Sequence, residues 1–202
     1  RGVGIACMWY GCGNTSLSNP STMRITLARD GTLTFFNGAV DIGQGSSTVL
    51  LQIAADALGL PPSAFQMIVG DTDLTFDAGK TSASRQTFVT GKAAELAGLK
   101  LRAEILRLAN AGPNARIEIS GNKILVKEPS VLRGLALNLM EPGADGYVLR
   151  AEETFDPPTA PLNADGQGIP YAVYGYGAHL AEVEVNTRLG TVRVLKITAA
   201  HD

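Results

Sequence analysis

Apolar and polar positions alternate with period two in several stretches of the chain, and each such stretch reads as a half-buried strand. Residues 22–28 and 32–37 alternate on either side of Asp30-Gly31, which predicts a hairpin. Residues 116–120 and 123–127 do the same around Gly121-Asn122, and residues 179–185 and 191–198 across Asn186 to Gly190. Residues 2–10 form an apolar, β-prone run, and 66–69 and 147–154 read as further short strands. Two stretches switch to helical spacing. In residues 46–58, Val49, Leu50, Ile53, Ala54, Ala57 and Leu58 share a face, with Ser46 or Ser47 as cap and Gly59 with Pro61 and Pro62 as stop. From about Thr90 to Leu108, Ala94, Ala97, Leu101, Ile105 and Leu108 form the apolar stripe, and Gly112-Pro113 closes the helix. Residues 129–146 carry no clear period. Residues 155–170 are proline-rich and predict an extended connection.

The order of elements predicts an α+β fold with antiparallel sheet layers and helices packed on one side. The 202 residues fit one domain, with 1–112 and 113–202 as possible sub-lobes. An apolar fraction of 45% with only 18% charged residues is that of a folded chain. A net charge of −2 offers no basic field for a nucleic-acid backbone. No apolar run approaches the ~18 residues a membrane span needs, and no secretory signal opens the chain, so the reading is cytoplasmic. The missing initiator Met and the strand-like last residues predict an excised piece of a longer protein. Cys7 and Cys12 are too few for a disulfide scaffold and poorly spaced for zinc; they read as two free, buried thiols.

The 23 glycines exceed the usual share, and two loops make chemical use of small residues. Gly43-Gln44-Gly45 precedes the first helix, and Ala83-Ser84-Arg85-Gln86-Thr87 precedes the second. A helix start leaves backbone N–H groups unpaired at its positive end, and small residues let an anion approach them. Ser84, Gln86 and Thr87 add neutral hydrogen-bonding groups, and Arg85 a planar fork suited to phosphate. Together they point to a large phosphorylated ligand with ring heteroatoms. Either loop alone also reads as nothing more than a tight strand-to-helix turn. Gly79-Lys80-Thr81 imitates the end of a phosphate-binding P-loop, but Leu74 stands where that loop needs glycine. Asp71, Asp73 and Asp77 lack the final glutamate of a calcium loop and read as solvated carboxylates. His179 and His201 read as structural or surface residues, and Trp9 as a packing residue.

Three blocks in order, VDIGQGSSTVLLQIAADALGLP, GDTDLTFDAGKTSASRQTFVTGKA and YGYGAHLAEVEVNTRLGTVRVLKITAAHD, resemble the large molybdopterin-binding subunit of the molybdenum hydroxylases, the xanthine dehydrogenase and aldehyde oxidoreductase family. The resemblance implies that Ile42, Gly43, Gln44 and Gly45 contact the pterin cofactor. It implies that Ala83, Ser84, Arg85 and Gln86 contact the pterin and its nucleotide tail, with the cytosine dinucleotide form favoured. It implies hydroxylation of aldehydes or N-heterocycles with water as oxygen source, and electron transfer to iron–sulfur clusters and FAD on partner domains or subunits. The family's glutamate motif, its glycine-phenylalanine-glycine loop and its cluster-binding cysteines are absent. The chain is therefore expected to hold cofactor without turning over substrate alone, to carry no catalytic or metal-ligating residue, and to expose apolar area that the remaining lobes cover. The alternative is a non-catalytic assembly module that keeps the fold without molybdenum.

Overall fold

The computed structural model describes residues 1–14 and 16–202. The chain separates into two compact units: residues 18–157 form one, and 1–17 with 158–202 form the other. This replaces the expected 112/113 boundary. The ends of the chain pair with each other, and a partnership at that sequence distance leaves no trace in local composition.

The larger unit is built on a four-stranded sheet. Strands β2 (Ser21–Leu27) and β3 (Leu33–Asn37) form the expected hairpin, with Ile25 opposite Phe35 and Leu27 opposite Leu33. Strand β8 (Leu149–Phe155) pairs antiparallel with the other edge of β2. Strand β4 (Phe65–Val69) runs parallel to β3. That pair departs from the otherwise antiparallel arrangement, because helix α1 (Ser46–Leu58) is the crossover that joins them. Helix α2 (Gly91–Leu108) packs on α1 and on β2 and β8. Met23, Ile25, Leu27 and Phe35 meet Leu50, Ala54, Leu101 and Ile105 in one fully buried core. Each of these side chains other than Ala54 contributes about 1.5–3 kcal/mol by leaving water.

Gly98 sets the closeness of the two helices. A Cβ there would lie 2.8 Å from both the Ala54 carbonyl oxygen and the Ala57 Cβ. Helix α1 stops at Gly59, whose φ of 81° lets its N–H reach the Ala55 and Asp56 carbonyls. Helix α2 ends at Leu108, as its apolar stripe predicts, ahead of Gly112-Pro113. Asn110 takes the left-handed turn at φ 48°, and Ala111 N–H donates to the Leu106 carbonyl. Asparagine tolerates that conformation, so no glycine is needed. Strands β5 (Arg116–Ser120), β6 (Lys123–Glu128) and β7 (Val131–Ala136) form an antiparallel meander. β7 lies in the stretch without a readable period.

The smaller unit is a three-stranded antiparallel sheet of β1 (Gly2–Gly11), β9 (Tyr174–Asn186) and β10 (Thr191–His201), with β9 central. Pairing puts Val3, Ile5, Trp9 and Tyr176 on one face and Met8, Val185, Val192, Val194 and Ile197 on the other. All nine are exposed, Trp9 at 72%. Among its described residues this unit holds no helix, so no helix of its own covers either face. Cys7 and Trp9 are accordingly exposed instead of buried, and Cys12 is half-buried, although both thiols are free. His179 and His201 sit on neighbouring strands with their Nε2 atoms 3.0 Å apart. Among the described residues no helix is long and apolar enough to cross a membrane.

Candidate functional site

The segments before the two helices of the larger unit meet. The Thr81 hydroxyl donates to the Val40 carbonyl at 2.7 Å, tying the second loop to the first. Between them lies a cavity of about 300 Å³. Ile42, Gln44 and Ser46 line it from one side, and Ser82, Ser84 and Thr87 from the other, with Val49 as an apolar wall. Arg85 and Gln86 also border it, so five of the eight expected site residues share one cavity. Gly43, Gly45 and Ala83 do not line it; they lie in the same two loops in the left-handed region, with φ of 106°, 81° and 55°.

The first loop is organised by Asp41, which sequence reasoning overlooked. Its Oδ1 accepts the Gly43 and Gly45 N–H groups at 2.8 and 3.2 Å, and its Oδ2 accepts the Ser47 N–H at 3.2 Å. These bonds, Gly43 foremost, hold the Asp41 carboxyl below the usual carboxylate range. Asp41 thus does the capping expected of Ser46 or Ser47; the helix's N-cap is Gly45, which has no side chain to offer. The readable signal was Asp-x-Gly, the spacing at which an aspartate accepts backbone N–H groups two residues on. The consequence for ligand chemistry is direct. A carboxylate of the chain itself occupies donors that an incoming anion was expected to take, so this corner suits a neutral hydrogen-bonding ligand edge. Gln44 faces that edge. Its Oε1 accepts the Ile42 N–H at 2.7 Å and its Nε2 donates to the Ser46 hydroxyl at 2.9 Å, leaving one amide proton and one lone pair for a ligand.

In the second loop, Ala83 and Ser84 are consecutive non-glycine residues with φ of 55°. Each costs about 1–3 kcal/mol relative to an unstrained conformation, a pattern that clusters at ligand sites. The turn projects the exposed Ser82, Ser84 and Thr87. Arg85 behaves differently from its expected role as a phosphate fork. It is fully buried, and its guanidinium donates to the carbonyls of Ala78, Asn19 and Pro20. Burial pushes its pKa down, and the Asp77 and Asp156 carboxylates oppose that shift. Gln86 is likewise turned inward, donating to the Thr81 hydroxyl at 3.2 Å and accepting from Thr90. Asp71 and Asp77 accept backbone N–H groups of Asp73, Leu74 and Gly79, so these carboxylates shape turns. No group of three or more metal-ligating side chains occurs among the described residues.

The cavity accommodates a pterin-type cofactor on two counts. A Cβ built at Gly43 or Gly45 meets nothing within 4 Å, so a ligand can approach that backbone closely. Apart from Arg85, whose guanidinium donates to backbone carbonyls, the lining is neutral: two amides, several hydroxyls and an apolar wall, as ring heteroatoms and ester oxygens require.

A sequence profile described as "Molybdopterin cofactor-binding domain" matches residues 1–202. The xanthine dehydrogenase molybdenum-binding subunit of Escherichia coli O157:H7 is 32% identical over 100% of this chain, which spans 27% of that relative's length. The 6-hydroxypseudooxynicotine dehydrogenase complex subunit gamma of Paenarthrobacter nicotinovorans is 29% identical over 87% of the chain and 22% of its own length. The crystal structure of the aldehyde oxidoreductase from Desulfovibrio desulfuricans superposes with a TM-score of 0.72 at 28% identity, over 99% of this chain and 20% of that one. With two helix-start loops joined around one neutral cavity, the α+β fold and the match along its whole length, the chain belongs to the molybdopterin cofactor-binding domain family of the molybdenum hydroxylases.

Proposed function

We propose that the cavity between residues 41–49 and 81–87 holds a molybdopterin cofactor, in a longer molybdenum hydroxylase that oxidises aldehydes or N-heterocycles. Ile42, Gly43, Gln44 and Gly45 contact it from one side, and Ala83, Ser84, Arg85 and Gln86 from the other. Arg85 does so through its backbone, since both terminal nitrogens of its guanidinium donate to backbone carbonyls. Bound there, the cofactor supplies the redox chemistry, with water as the source of oxygen. The residues of this chain orient it: Gln44, Ser84 and Thr87 by hydrogen bonds, Ile42 and Val49 by excluding water. The observation that carries the reading is the Thr81–Val40 hydrogen bond, which makes one site of two loops across a sequence separation of 41 residues.

The same reading assigns the bacterial cytosine dinucleotide form of the cofactor and a cytoplasmic setting, in keeping with the free, exposed thiol of Cys7. The remaining lobes of the molybdenum subunit cover the three-stranded sheet. Iron–sulfur clusters and FAD sit on partner domains or subunits, as the naming of one relative as a subunit of a dehydrogenase complex supports. The chain by itself turns over no substrate.

The test is elemental and chemical analysis of the full-length protein. The expected result is molybdenum and pterin in equal amounts, with cytidine monophosphate released on hydrolysis. A folded protein lacking both molybdenum and pterin refutes the reading and favours an assembly module. Oxidation of an aldehyde or purine by the 202-residue chain alone contradicts the division of labour.

A further inference from the structure

Arg85 is the largest fully buried side chain among the described residues, and it lies in the loop assigned to the cofactor. Its guanidinium reaches two separate segments. Nη2 donates to the Asn19 and Pro20 carbonyls, both at 2.9 Å, at the entry to β2. Nη1 donates to the Ala78 carbonyl. The segment that closes over it is fitted to its shape. A Cβ at Gly79 would lie 2.5 Å from Nη1 and 2.7 Å from the guanidinium carbon, so only glycine leaves room for the planar group. Glycine in the Gly79-Lys80-Thr81 sequence that imitates a phosphate loop thus serves both a left-handed φ of 67° and the close approach of Arg85. Gln86 completes the closure by donating to the Thr81 hydroxyl at 3.2 Å and the Gly79 carbonyl at 3.4 Å.

Immediately before this anchor come Ala83 and Ser84, both in the left-handed region. Two strained residues in succession persist only where the surroundings fix them. The backbone hydrogen bonds within the turn, Ser82 N–H to the Lys80 carbonyl at 3.1 Å and Arg85 N–H to the Ser82 carbonyl at 3.3 Å, are few and long. The guanidinium supplies the stronger tether. Lysine cannot replace it, because a single ammonium point cannot span carbonyls on two segments in one plane.

We infer that Arg85 is a positioning residue: it touches no ligand through its side chain and holds the 82–87 turn so that Ser82, Ser84 and Thr87 face the cavity. The inference rests on the proposed cofactor site for its functional meaning, but the clamp itself is testable without cofactor.

Two measurements on the full-length protein decide it. The first uses the unaltered protein and phenylglyoxal, with peptide mapping of modified arginines. Arg85 stays unmodified both as isolated and after removal of any cofactor, while the exposed Arg107 and Arg150 react. Modification of Arg85 in the depleted protein and its protection in the loaded one identify it as a ligand-facing fork and overturn the inference. The second compares Arg85→Lys with Ser84→Ala by hydrogen exchange and pterin content. In Arg85→Lys, exchange over residues 79–88 rises about tenfold while that of 50–58 holds, and pterin falls with it. In Ser84→Ala, pterin falls and exchange does not change. Loss of pterin in Arg85→Lys with unchanged exchange, or no change in either, overturns the inference. A protein that carries no pterin at all removes the cofactor reading, while the labelling and exchange results still decide the clamp.

Discussion

The carboxylate of Asp41 lies 3.2 Å from the backbone N–H of Ser47, six residues on, at the first turn of α1. It holds the Gly43 and Gly45 N–H groups as well, so a single side chain both closes the glycine loop and caps the helix. Because these bonds favour the ionised form, the folded-state pKa of Asp41 falls below its ordinary 3.8. The stabilisation is therefore fully present above 3.8 and is lost as pH drops through the lower, folded value. Asp41→Asn should melt a few degrees below wild type at neutral pH. That gap should narrow in strongly acidic buffer, as followed by thermal melts across pH. A constant gap shows that the charge of Asp41 does not matter.

Strain and ligand binding are opposed at Ala83. Ala83→Gly removes the penalty of a left-handed alanine, about 1–2 kcal/mol, less what glycine's extra freedom costs the folded state. The variant should melt at or slightly above the wild-type temperature. It should also retain less pterin when the full-length protein is passed through a desalting column, since the loop is less preorganised. Equal retention with higher stability would mean that the strain has no bearing on the ligand.

Gly98 offers a test of helix packing away from the cavity. Alanine improves helix propensity by about 1 kcal/mol. The new Cβ, however, falls 2.8 Å from the Ala54 carbonyl and the Ala57 Cβ, and overpacking of that kind costs about 1–3 kcal/mol. The clash outweighs the propensity, so Gly98→Ala should lower the urea midpoint. Leu101→Ala, which empties part of the same seam, should cost about 2–5 kcal/mol. A raised midpoint for Gly98→Ala would place the helices further apart than described.

The three-stranded sheet leads to a prediction about the isolated chain. With Val3 at 71%, Ile5 at 70% and Trp9 at 72% exposure, the 202-residue chain should bind an apolar dye such as anilinonaphthalene sulfonate and self-associate. Ile5→Lys with Trp9→Lys should weaken both. A monodisperse chain that leaves the dye dark contradicts a face built to be covered.

What the sequence disclosed follows from the range of the forces involved. Both helices, the β2–β3 and β5–β6 hairpins and the β9–β10 hairpin are local, and their periodicity and turn residues identified them. The division into units was not legible, because it depends on β1 meeting β9 across most of the chain. β7 was missed because its residues, VLRGLA, do not alternate: two apolar residues come together and Arg133-Gly134 interrupts the run. At the site, the positions of Gln44 and Ser84 could be placed from the glycine and hydroxyl pattern, but the roles of the charged residues were inverted. Arg85 looked like an anion receptor and is an internal tether, while Asp41 drew no attention and occupies the helix donors. Residue type gives charge, whereas the direction of a long side chain is set by which carbonyls the fold leaves unpaired.

The most direct measurement is an anomalous difference map at the molybdenum absorption edge from crystals of the full-length protein. The account requires one molybdenum peak, with pterin density running from it along a cavity bordered by both Gln44 and Ser84. Pterin density that leaves either loop untouched, or a molybdenum peak with no connection to this cavity, contradicts it.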